Sequence, residues 1–476
     1  MSAFSNARWV GVIQAARVGV QLLTLLALSR LLEPSDFGLI AMVFAITNFA
    51  MLIRDLGTGA AIVQRANLTR ETILTAHWSN CVIGVLLGAV LSLAAMPIAR
   101  FFNEPAVQPL LQLLAVSFPI LGSSTAHQAL LERDSRFALL ARIEITAVVA
   151  GFIVAVAAAL AGFGAYSFVF QALAIAVVSA LQLWLASDLR PSWFWGRDEA
   201  RGLWRFSGHL LGFNLVNYFS RNADAMIIGR VLGPAMLGAY SVAYRLMLFP
   251  LQNLTFVAAR ALLPVMSRSQ ESNADLGQMY LRTLSVIAFF TAPLMTGLFV
   301  LRELFVAVVL GDAWQLVAVV TAWLAPVGFI QSLVSVGGTV FTALGRTNVL
   351  FRLGVFSTLL HVAAYLTGVA WGLTGVAAAY FVASVINAAV CFYVLMSLLA
   401  QPLRALVAAV LPAIARALLM GAAVHFVQLE LAQYDLPKLA QLILLVAVGA
   451  MLYLALARIH ARPSDRDVLR LFMRRA

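Results

Sequence analysis

Four polar side chains interrupt an apolar run near the start of the chain: Gln14, Arg17, Gln21 and Thr24. Two hundred positions later a second apolar run carries Asn214, Asn217, Arg221 and Asp224. Spacings of three, four and three put each set on one face of a helix. A third stripe follows in the next run, with Ser241, Arg245 and Gln252, Tyr244 beside it, and Pro250 expected to kink the helix. Guanidinium groups pair with anionic oxygens bidentately, and amides and hydroxyls exchange hydrogen bonds with polar ligands. Inside a bilayer such faces are expensive, at about 2.5–3.5 kcal/mol per central charge on insertion scales. They are therefore expected to line a wet cavity or a protein interior. At the same offset Ala45 stands in place of Arg245, so the cavity should be more cationic on its second-lobe wall.

The surrounding chain makes a bilayer the expected solvent. Of 476 residues, 62% are hydrophobic and 11% charged, which is too little polarity to cover a soluble surface. Apolar runs read as spans near 9–29, 36–54, 73–98, 110–130, 142–161, 165–187, 208–229, 235–260, 281–301, 315–343, 350–371, 375–399, 405–427 and 438–458. The expected fold is an all-α integral membrane protein of about fourteen transmembrane helices. Two parallel-repeat six-helix lobes form a central cavity, and two extra C-terminal helices follow. The division is an N-lobe over 1–187, an amphipathic cytoplasmic linker over 188–205, a C-lobe over 206–400, two spans over 401–458, and a basic tail over 459–476. The linker interleaves Trp193, Trp195 and Trp204 with Arg190, Arg197, Arg201 and Arg205, a pattern suited to the headgroups of membrane lipids.

Orientation follows from the basic residues. Alternate loops and the tail hold 23 arginines on one side, against four arginines and Lys438 on the other. The positive-inside rule then places both termini in the cytoplasm. The formal charge of +12 is explained by this asymmetry, and no nucleic-acid partner is expected. The repeat is visible in the turns as well: Arg30, Leu32, Pro34 and Gly38 recur as Arg230, Leu232, Pro234 and Gly238. Six spans per block is an even number, so the copies share one orientation.

Bland alternatives attach to several residues. Arg17 and Arg221 could bond neighbouring helices, and Asp224 is expected to partner Arg221. Arg142 and Glu144 read as a rim charge pair, and Arg416 as a packed or snorkelling side chain. His127, His209 and His361 stand singly and are expected to be satisfied packing histidines. Cys81 and Cys391 lie in no metal-ligand spacing, and the chain shows no nucleophile–base pattern or phosphate loop. No enzyme activity, cofactor or metal is expected.

Several stretches together resemble a known family, the polysaccharide and O-antigen flippases of the multidrug/oligosaccharidyl-lipid/polysaccharide exporter superfamily. They are Ala27 to Leu39, Asp55 to Arg65, Asp224 to Arg230 with Leu237 to Tyr244, and Leu263–Pro264 to Arg268. The resemblance implies a flippase of the bacterial inner membrane. It would move an undecaprenyl-pyrophosphate-linked oligosaccharide from the cytoplasmic to the periplasmic leaflet, for exopolysaccharide, capsule or lipopolysaccharide synthesis. It also implies alternating access of two lobes, with a polysaccharide polymerase as a possible partner and H+ or Na+ as a possible coupling ion. Arg17, Arg221 and Arg245 would face the pyrophosphate; Gln14, Gln21, Asn214, Asn217, Tyr244 and Gln252 would face sugar hydroxyls. A lipid II flippase or a multidrug antiporter of the same superfamily is the alternative, and a membrane glycosyltransferase or polymerase is a weaker one.

Overall fold

The computed structural model describes residues 3–54, 58–64, 68–196, 222–252 and 273–459. The candidate residues Asn214, Asn217 and Arg221, and His209, lie outside the described residues. The first unit contains α1 (Ala3–Leu31), α2 (Pro34–Arg54), α3 (Thr58–Gln64), α4 (Arg70–Phe102), α5 (Val107–Ala115), α6 (Ser117–Arg133), α7 (Phe137–Leu160), α8 (Tyr166–Ala186) and α9 over 222–232. α10 (Pro234–Pro250) is followed by α11 (Asn273–Val309), α12 (Gln315–Ala343), α13 (Thr347–Gly368), α14 (Gly372–Leu398), α15 (Leu403–Leu431) and α16 (Lys438–Ile459). Two compact units divide the chain, Met1–Gly238 and Ala239–Ala476, with the boundary inside α10.

The chain is an all-α integral membrane protein. Ten described stretches are long and apolar enough to cross a bilayer, and one of them, Thr347–Leu398, comprises both α13 and α14. Gly372, at φ +70°, breaks that stretch after a short 3-10 turn at Val369–Trp371. The expected span at 110–130 is also two helices. Pro119 has no N–H to offer the carbonyl of Ala115, so the ladder is interrupted near Val116, where α5 ends and α6 begins. A window of apolar residues does not reveal such a break.

Helix ends follow local chemistry. Thr69 caps α4 by accepting from the Thr72 N–H at 3.2 Å, and Asn103, at φ 58°, ends it in the left-handed conformation. Pro34 opens α2, where its missing N–H costs nothing. Asp36 then reaches back to the Glu33 N–H at 3.2 Å and across to the Ala165 N–H at 2.9 Å. One carboxylate thus closes the first turn of α2 and ties it to the start of α8.

The two repeated turns touch each other within the first unit. A Cβ on Gly38 would lie 1.7 Å from the Pro234 carbonyl oxygen, and a Cβ on Gly238 would lie 1.8 Å from the Pro34 oxygen. The contact is reciprocal, as expected for a pair of related elements meeting across a two-fold axis. Only glycine lets the two backbones approach this closely.

In the second unit α15 and α16 pack against α11. Arg416 is 6% exposed, donates from Nε to the Pro412 carbonyl at 2.9 Å, and sits 5.8 and 5.9 Å from the rings of Phe289 and Tyr453. The Tyr453 hydroxyl donates to the Phe289 carbonyl at 2.9 Å, and Ser285 Oγ to the Ala409 carbonyl at 3.0 Å. The last two helices are therefore joined to α11 by polar contacts as well as by an apolar seam. Arg416 packs at that interface.

Gly38→Ala and Gly238→Ala should each force the turns apart and lower stability by about 1–3 kcal/mol, the usual range for overpacking. Gly297→Ala, where a Cβ meets nothing within 4 Å, serves as the matched control. Equal melting temperatures for all three detergent-purified variants would contradict the close contact.

Candidate functional site

On α1 the polar face is divided in its behaviour. Arg17 forms an ion pair with Glu144 of α7, its side chain 47% and that of Glu144 31% exposed. The pair borders a small cavity lined by Ile13, Ala16, Val20, Ile145 and Val148. Glu144 is thus the partner of an arginine on another helix, and the expected rim pair with Arg142 is replaced by a contact between spans. Gln21 is exposed, whereas Thr24 is buried and donates to the Val20 carbonyl at 2.8 Å. Gln14 lies on the same helix, but its side chain is outside the described residues.

Of the second polar face only Asp224 is described. It is 5% exposed and its Oδ1 accepts from the Ala225 N–H at 2.7 Å. The expected partnership with Arg221 falls outside the described residues.

The third stripe is described in full. Ser241 and Tyr244 are half-buried, and Arg245 and Gln252 are exposed. Around Arg245, Val242, Ala243 and Met247 are buried, so the guanidinium leaves α10 on a face distinct from its packed side. Arg245 is about 16 Å along the axis from Pro234 at 1.5 Å per residue, roughly half of a ~30 Å hydrocarbon core.

Tyr244 leads into a polar and aromatic group that the spacing of residues does not announce. Its ring stacks at 5.8 Å on Tyr240 and lies 6.4 Å from Tyr380 of α14. The Tyr380 hydroxyl accepts from Gln331 Nε2 of α12, and its ring is 5.1 Å from His361 and 5.3 Å from Tyr365 of α13. His361 is bonded at both nitrogens, Nδ1 to the Ser357 carbonyl at 2.8 Å and Nε2 to Ser384 Oγ at 3.4 Å. These residues are spread over four apolar runs, so only packing of four helices gathers them.

Comparison with known proteins now bears on the site. Residues 27–319 match the family model described as polysaccharide biosynthesis protein. The chain belongs to that family. It is 25% identical over 394 residues to the lipopolysaccharide biosynthesis protein WzxC of Escherichia coli (strain K12), covering 82% of this chain and 80% of that one. It is also 25% identical over 477 residues to the teichuronic acid biosynthesis protein TuaB of Bacillus subtilis (strain 168), covering 98% and 97%. Among solved structures, the lipid II flippase MurJ in an inward closed conformation aligns with a TM-score of 0.77 at 13% identity, over 97% of this chain and all of that one. An inward-facing multidrug resistance MATE family transporter aligns with a TM-score of 0.65 at 16% identity, over 81% of this chain and 94% of that one. At these identities the two structures establish a shared fold. This family member is a multi-pass membrane protein, and its family is one of polysaccharide biosynthesis.

The Arg17–Glu144 pair can be tested by reversal. Arg17→Glu and Glu144→Arg should each reduce folded protein recovered from membranes, and the double exchange should restore much of it. A loss in the double variant equal to the sum of the two single losses would mean the two charges do not interact.

Proposed function

We propose that the chain flips an undecaprenyl-pyrophosphate-linked oligosaccharide repeat unit from the cytoplasmic to the periplasmic leaflet of the bacterial inner membrane. The product would serve exopolysaccharide, capsule or lipopolysaccharide synthesis. The observation that carries this reading is Arg245, an exposed guanidinium at about mid-span of an apolar helix. Lipid is a poor surrounding for it, and a hydrated chamber open to an anionic headgroup is a good one. Tyr244 and Ser241 on the same helix, and Gln252 just past its end, offer hydrogen bonds to sugar hydroxyls, as do Gln14, Gln21, Asn214 and Asn217 in the first two polar runs. Arg221 adds a second cation. Arg17, paired with Glu144, would take part in phosphate binding only by exchanging that partner. Asp224 would tune the charge of the chamber.

In this reading the prenyl tail stays in lipid while the headgroup crosses through the chamber, which opens alternately to the two sides. Such a cycle needs no bond to be made or broken, so the chain acts as a carrier and not an enzyme. The names of its relatives support the substrate class: WzxC is a lipopolysaccharide biosynthesis protein, and ExoT of Rhizobium meliloti (strain 1021), 27% identical over 310 residues, is a succinoglycan biosynthesis transport protein. Both termini would lie in the cytoplasm.

Arg245→Ala should cut polymer export at least about tenfold while leaving membrane insertion intact, because a charge-assisted hydrogen bond is worth roughly 1.5–3 kcal/mol. Arg245→Lys should retain part of the activity, since charge remains but the bidentate geometry is lost. Polymer at the cell surface, measured against immunoblotted membrane protein, gives the readout. Normal export by Arg245→Ala would remove the residue from the headgroup site.

A further inference from the structure

Two histidines of the first unit are buried side by side where the transport reading makes no use of them. His77 of α4 is 1% exposed and His127 of α6 is 0% exposed. Their ring centroids are 5.5 Å apart and nearly perpendicular. Neither nitrogen of His127, nor Nδ1 of His77, has a hydrogen-bond partner among the described residues. The remaining nitrogen, Nε2 of His77, lies 3.7 Å from Cys81 Sγ. Asn80 adds an unpartnered Nδ2, its Oδ1 being taken by the Thr58 hydroxyl at 2.8 Å. His127 was expected to be a satisfied packing histidine, and it is the opposite.

Such an arrangement is costly. A buried polar group without a partner loses about 1–3 kcal/mol, and three imidazole nitrogens share this condition. Apolar rings of the same size would pack there without that penalty. An imidazole differs from them in one chemical respect: it can take up a proton from water. The proton adds to the free ring nitrogen, and no other bond breaks.

The pair sits under a structural connector. Residues 187–196 leave α8 as an extended strap and are fastened to α4 on both sides of His77. Trp78 Nε1 donates to the Ser192 carbonyl at 3.0 Å, the Trp78 ring meets Trp193 at 4.7 Å, and the Gly196 N–H donates to Thr75 Oγ1 at 3.1 Å. Trp184, at the end of α8, closes over the pair, 4.5 Å from His127 and 5.7 Å from His77.

Ionisable groups on the surrounding elements are few. α3 and the end of α8 bring none. α4 brings Cys81, with Arg70 and Glu71 at its start, and α2 ends at Arg54. α6 ends in Glu132 and Arg133, and the latter holds the Ile62 and Val63 carbonyls at 2.7 and 3.4 Å. The strap brings Asp188 and Arg190; Arg190 bonds the Ser187 and Leu189 carbonyls and lies near enough for its charge to act on His127. A proton on either imidazole therefore sets a second positive charge against the strap's own arginine, with indole faces as its nearest partners.

We propose that His77 and His127 form a proton-binding site, and that protonating it loosens the 187–196 strap from α4. The site is independent of what the protein carries. A Trp184 indole beside an imidazolium is quenched, so the full-length protein in lipid nanodiscs reports the proton directly. Between about pH 7 and pH 3 the wild type should lose tryptophan emission, and protection against amide exchange in 187–196, taken relative to the intrinsic rate at each pH, should fall at least about threefold. His77→Gln/His127→Gln should flatten both responses, as should His127→Phe, whose ring keeps the packing. Trp184→Phe should remove part of the emission change, the rest coming from Trp78, 5.4 Å from His77, and keep the exchange change. Cys81→Ser and Arg245→Ala should keep both. A flat wild type, or an unchanged response in both histidine variants, would overturn the proposal while leaving the flippase reading untouched.

Discussion

Hydrocarbon supplies no hydrogen bonds, so a polar side chain within a span must find its partner inside the protein or in a wet cavity. Most of the polar chemistry described here obeys that constraint by local means. Thr47, Ser79, Thr283, Thr291 and Ser332 donate their hydroxyls to the carbonyl four residues back, within their own helices. Larger groups need a second helix. Arg17 takes Glu144 from α7, and Arg416 takes a carbonyl of its own helix and two rings from α11 and α16. Each solution spends a polar group on holding helices together. Groups without such a solution, Arg245 in the second unit and the histidine pair in the first, are the ones that call for a functional explanation.

Close backbone approach is the second recurring device. Gly38 and Gly238 allow the repeated turns to meet at carbonyl distance, and Gly84 and Gly122 do the same for α4 and α6 beside the histidine pair. In lipid, apolar side chains gain little by leaving one greasy surface for another, so association depends on dispersion at short range and on backbone contacts. Small residues are effective for that reason. The repeat is thus more than an echo in the text of the chain: its glycine and proline positions are where the two repeated turns meet.

The two helices outside the repeat acquire a structural role. α15 and α16 lie along α11, and the seam contains Gly421 against Thr296 and Gly449 against Val424, with Arg416 and Tyr453 supplying its polar contacts. A buried arginine flanked by aromatic rings would be costly to separate in lipid, because its charge would lose the two ring faces that neighbouring helices bring to it. This makes the pair an integral part of the second unit.

Sequence alone determined the solvent, the class of fold, the arginine asymmetry, the repeat at an offset of 200, and the spacing of the polar residues at 14–24, 214–224 and 241–252. Each of these is written in composition or in a local period, which a single chain carries openly. Tertiary structure alone decided that Arg17 belongs to Glu144, that Tyr244 joins Tyr380, Gln331 and His361, and that His127 stands against His77. Those outcomes depend on which helices become neighbours. Partner choice is set by long-range packing, and residues fifty or more positions apart leave no mark on each other's spacing. The same limit explains the error over His127: one histidine in an apolar run looks like packing until a second, from another helix, is found beside it with its Nδ1 likewise unmet.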